Sequence, residues 1–105
     1  MNLFSVTTTG PFPDKGPGKS VFHDKGTLKV QSINIRAGQS IPPCAMDHDA
    51  MFYVIKGAGE IIVDTQSAQL YPGAGVVVLK EAKSREMHAH EDLTILAVQG
   101  RQERP

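Results

Sequence analysis

The feature that most constrains what this chain can fold into is the way its apolar residues are cut into short runs. Val21–His23, Leu28–Ile35, Met51–Ile55, Glu60–Asp64, Val76–Leu79, Arg85–Ala89 and Leu93–Val98 carry many of its Val and Ile residues, and each is bounded by Gly, Pro, Asp or Ser. No window keeps an apolar period of helical spacing long enough to build a helix. Many short strands at close spacing predict an all-β sandwich or barrel. The 10 glycines and 7 prolines fall as punctuation between the runs. Their densest group, Gly10-Pro11-Phe12-Pro13-Asp14-Lys15-Gly16-Pro17-Gly18, reads as a loop. It separates a short N-terminal strand, Leu3–Thr8, from the rest.

A chain of 105 residues is one domain. Folding at this size buries roughly 60–70% of the unfolded surface, enough for one core. The expected layout is a single domain over 1–105, with a strand and loop in 1–18 and the barrel in 19–100. The 11 basic and 11 acidic side chains balance, so no nucleic acid or anionic membrane is expected as a partner. One cysteine makes no internal disulfide, and no apolar signal-peptide core follows Met1. A cytoplasmic location is the expectation. The runs Met51–Ile55 and Val76–Leu79 are apolar on both faces, which predicts that both faces are covered. One would look into the barrel and the other would meet a second sheet or another subunit. A homodimer is expected, with a monomer whose edge is covered by Leu3–Thr8 as the alternative.

Gly38, Cys44, Met46, Ala50 and Gly57 stand at the intervals G-x5-H-x-H-x3-E-x6-G. Phe52-Tyr53-Val54-Ile55-Lys56-Gly57-Ala58-Gly59-Glu60 follows as a strand and turn, and Leu70-Tyr71-Pro72-Gly73 and Ala89–Leu96 complete the pattern. This arrangement resembles the small single-domain members of the cupin superfamily over about two thirds of the chain. The resemblance implies a jelly-roll β-barrel, commonly dimeric. It also implies a metal held by two His, a Glu and a later His. Many members are metalloenzymes (dioxygenases, isomerases, decarboxylases), and some only bind ligands.

The three ligand positions of the first motif hold Cys44, Met46 and Ala50. A thiolate and a thioether can donate to a metal, and a methyl group cannot. The fourth position falls on Ser84 counting forward from Gly73, or on Arg85 counting backward from Glu91-Asp92. This one-residue choice flips the whole strand. In the first register Ser84, Glu86 and His88 face inward. In the second Arg85, Met87 and Ala89 do, which buries apolar side chains and avoids desolvating a carboxylate. The second is therefore preferred.

Cys44 on its own reads as a small buried hydrophobe, with a reactive or metal-bound thiol as the sharper reading. Met46 reads as core packing and His48 as a solvated loop residue. His88 and His90, two apart, read as one polar strand face. The resulting expectation is a non-catalytic or metal-independent protein that binds a small ligand, an anion among the candidates, inside the barrel. Its pocket would be lined by Cys44, Met46, Ala50, Phe52 and Met87, with Arg85 as the polar anchor. No cofactor is expected. The alternative is a metalloenzyme with a relocated divalent transition-metal site drawn from Cys44, His48, Glu86, His88 and His90. A further alternative, acid–base chemistry by Glu86 and His88 within the barrel, requires the Ser84 register.

Overall fold

The computed structural model describes residues 1–6 and 10–100. Within them the chain forms β1 (Gly18–Lys25), β2 (Leu28–Ile35), β3 (Ser40–Cys44), β4 (Ala50–Lys56), β5 (Gly59–Val63), β6 (Gln66–Leu70), β7 (Gly75–Val78), β8 (Arg85–Ala89) and β9 (Leu93–Gly100). One sheet has five strands in the order β1-β2-β9-β4-β7, and the other has four in the order β3-β8-β5-β6. Every pairing is antiparallel.

Alternation along the strands assembles the core. On the five-stranded sheet Ile33, Ile35, Phe52, Val54, Leu93, Ile95 and Ala97 turn inward and are buried. On the facing sheet Ile61, Met87 and Ala89 answer them. Burial of each large side chain contributes on the order of 1.5–3 kcal/mol, so this layer between the sheets is the main cohesive element.

The strands β2 and β8 occupy the expected ranges. Two strands were not foreseen: β3 and β6, which are the two edges of the four-stranded sheet. Edges need no apolar face on both sides and tolerate proline. Pro42 and Pro43 lie inside β3, where pairing with β8 is interrupted between Ile41 and Cys44. The expected N-terminal strand does not form over Leu3–Val6, and Thr7 and Thr8 lie outside the described residues. Instead Phe4 stacks on Phe22 of β1 with ring centroids 4.7 Å apart, and Asn2 donates to the Phe22 carbonyl.

The Gly/Pro-rich loop is a strap across the outside of β2. Asn34 Nδ2 donates to the Pro11 carbonyl, and Arg36 donates to the Phe12 carbonyl through Nε and Nη2 while pairing with Asp14. Thr94 on β9 donates to Asn34 Oδ1 at 2.7 Å. This outer strip of β2 is therefore polar yet buried, with its groups satisfied. Within a single chain β4 is covered on one face only. Ala50, Phe52 and Val54 are buried, but Met51 and Tyr53 on the opposite face are exposed.

Candidate functional site at the barrel mouth

The four-stranded sheet fixes what lines the mouth. In β8, Arg85, Met87 and Ala89 are buried, and Glu86 and His88 point to the outside. The register follows from packing: Met87 pairs with Ile61 on one side and Ile41 on the other, so the apolar face of β8 meets the core. Ser84 precedes the strand and gives its N–H to Asp64 Oδ1.

Arg85 thus enters the interior from one sheet and meets Phe52 from the other. Its guanidinium carbon lies 5.1 Å above the centre of the Phe52 ring, a cation–π contact. Nη2 donates to Cys44 Sγ at 3.2 Å. A thiol is a weak acceptor. Arg85 Nε is buried and has no hydrogen-bond partner, and among the described residues no carboxylate pairs with this guanidinium.

The other predicted wall residues belong to the core or its margin. Ala50 and Phe52 are buried neighbours on β4, Met87 is buried beside Arg85 on β8, and Met46 is half-buried against the core. Cys44 departs from the expectation of a buried hydrophobe and is exposed. The break at Pro42-Pro43 puts this end of β3 at the rim, where only the thiol's approach to Arg85 ties it down. These residues do not fit the metal that the cupin resemblance implies. Ala50 has no donor atom, and a fixed positive charge occupies the fourth position.

The alternative ligand set is not brought together. Cys44 is at the rim beside Arg85. His48, in the loop before β4, gives Nδ1–H to Asp47 at 2.9 Å, while its Nε2 is buried without a partner. That hydrogen bond holds the Asp47 carboxyl below its ordinary value of 3.8. Glu86 and His88 meet on the outer face of the sheet. Nε2–H of His88 donates to Glu86 at 3.0 Å, and Nδ1 shares a hydrogen bond with the Ser40 hydroxyl at 2.8 Å. His90 is exposed beyond β8, held through its backbone N–H to the Ala58 carbonyl. Among the described residues no group of three or more His, Cys, Asp or Glu is placed to hold a metal ion. Acid–base chemistry by Glu86 and His88 inside the barrel is likewise corrected, since both face outward.

One inward polar residue was not anticipated. Gln31 lies on β2 in alternation with Ile33 and Ile35 and opposite Ala97, all core residues. It is 97% buried by its 3% exposure, and its Oε1 has no partner. The signal was the alternation itself, which places Gln31 on the same face as two isoleucines.

The chain superposes along nearly its whole length on solved barrels. An RmlC-like cupin from Desulfovibrio desulfuricans matches with a TM-score of 0.83 at 20% identity, covering 95% of this chain and 96% of that one. A protein with a double-stranded β-helix domain from Klebsiella pneumoniae matches with a TM-score of 0.83 at 19% identity, covering 93% and 88%. KdgF from a Halomonas species matches with a TM-score of 0.79 at 20% identity, covering 96% of both chains. No family model matches the sequence, and no curated protein matches it significantly. The chain has the cupin fold, a jelly-roll of two antiparallel sheets. No helix among the described residues is long and apolar enough to cross a membrane.

Proposed function

We propose that this protein is a metal-independent binder of small anionic molecules, with the ligand held at the barrel mouth on Arg85. The observation that carries this reading is the guanidinium of Arg85, a residue only 9% exposed, whose Nε is buried without a partner and which no carboxylate neutralises among the described residues. A buried charge of this kind costs several kcal/mol unless an opposite charge joins it. A carboxylate or phosphate satisfies the planar fork with two parallel hydrogen bonds. Phe52 supports the fork from below, Met46, Ala50 and Met87 supply apolar walls typical of a small-molecule site, and Cys44 stands at the rim. The same fixed charge repels a cation from the fourth position of the resembled metal motif. We further propose that the working unit is a homodimer joined through the exposed apolar face of β4 and β7.

The test is titration calorimetry of the purified protein with butyrate and with inorganic phosphate, beside elemental analysis. Binding of at least one anion by the wild type, its loss in Arg85→Met, and metal content below about a tenth of an equivalent per chain are expected. Stoichiometric metal, or anion binding that survives in Arg85→Met, would overturn the reading.

A further inference from the structure

Two buried polar groups face the same interior layer from opposite sheets, and the sequence accounts for only one of them. Gln31, Ala97 and Phe52 form one row across β2, β9 and β4, each paired with the next. Strands stand roughly 4.8 Å apart, so the Gln31 backbone is about 10 Å from that of Phe52. Arg85 lies over the Phe52 ring. Gln31 Oε1 and Arg85 Nε are both buried without partners. Native interiors rarely leave such atoms unsatisfied, and each orphan costs on the order of 1–3 kcal/mol.

Resting on the anion-binding role of Arg85, we infer that Gln31 is the second recognition point of the site and that the ligand is a small hydroxy acid. The carboxylate docks on Arg85, and a hydroxyl a few carbons away hydrogen-bonds to the Gln31 amide. A hydroxyl both donates and accepts, so it satisfies either end of an amide. Ala97 and Phe52, both fully buried, are the apolar neighbours of Gln31 along that row, so the part of the ligand that joins the two points is a carbon chain. Deoxy acids of the same length leave Gln31 unpaired and bind more weakly. Metal ions and neutral alcohols lack the group that Arg85 selects.

The experiment compares matched acids on the wild type: γ-hydroxybutyrate against butyrate, and gluconate against hexanoate, by calorimetry. At least one hydroxy acid is expected to bind roughly 5- to 100-fold more tightly than its deoxy partner. Gln31→Leu, close in volume, should bring that ratio below about twofold. The side-chain amide resonance of Gln31 in a 15N-labelled sample should shift with the hydroxy acid and stay still with the deoxy acid. That readout serves if Gln31→Leu does not fold. Equal affinities within both pairs, or a preference that persists in Gln31→Leu, would overturn the role of Gln31 and leave the Arg85 site standing. Failure of all four acids to bind would overturn the hydroxy-acid site, and failure of inorganic phosphate as well would overturn the anion-binding role of Arg85.

Discussion

At the scale of single residues, the interior presents a cation that the fold does not balance. Arg85 gains a ring face and a sulfur contact, yet neither replaces the hydration that burial removes. Replacing it with Met keeps most of the volume over Phe52 and removes the charge. In buffer free of small acids, Arg85→Met is therefore expected to be at least as stable as the wild type, by about 0–3 kcal/mol in urea unfolding. Added butyrate should stabilise the wild type in proportion to its occupancy and leave the variant unchanged. A loss of more than about 1 kcal/mol in Arg85→Met would instead assign Arg85 a structural role through Cys44 and Phe52. Both Arg85 and Phe52 were legible in the sequence, because motif spacing and strand alternation place them inward. The exposure of Cys44 was not legible, since it depends on how Pro42-Pro43 break the pairing of an edge strand, and residue spacing alone carries no trace of that break.

Turns govern the elements. Gly57 joins β4 to β5 with φ of 97°, and a Cβ there would lie 2.1 Å from the Asp92 carbonyl oxygen. Gly38 also has a positive φ, 85°, but a Cβ there would meet nothing within 4 Å. The two glycines of the motif are thus retained for different reasons. Gly38→Ala pays only the conformational term and is expected to cost about 1 kcal/mol. Gly57→Ala forces backbone against backbone at the start of β9, and should cost more than about 3 kcal/mol or prevent folding. Thermal melts of the two variants side by side check this. Similar losses would mean that the approach to Asp92 does not restrict the turn. The turns were visible from sequence, and so were the interior strands, whose apolar runs are dense. The edges β3 and β6 were not, because Ser40-Ile41-Pro42-Pro43-Cys44 and Gln66-Ser67-Ala68-Gln69-Leu70 lack the two-sided apolar content by which the other strands announce themselves. An edge strand is defined by the neighbour it finds, which is a tertiary fact.

Across the whole molecule the two sheets differ in what they show to the outside. The four-stranded sheet is polar there, with Glu60, Glu86, His88 and Ser40 linked to neighbours by hydrogen bonds. The five-stranded sheet shows Met51, Tyr53 and Val77, with Leu79 just beyond β7, all exposed. Met51 pairs with Val77 and with Val98, and Tyr53 with Leu96, so these side chains form one continuous apolar strip ending at the free edge of β7. The two-sided apolar character of Met51–Ile55 therefore has one face explained by the core and one that the single chain leaves open. A second copy meeting the strip about a two-fold axis would cover it with the same residues, and a stable interface of this kind buries about 800 Å² per partner. The wild type is expected to sediment as a dimer at tens of micromolar. Val77→Lys, which puts a charge at the β7 end of the strip, should sediment as a monomer and retain the wild-type affinity for butyrate, because Arg85 lies between the sheets and not on their outer face. A monomeric wild type at that concentration would show that the strip is not a self-interface. A monomeric variant that also loses butyrate binding would show that the mouth needs the second subunit to be complete.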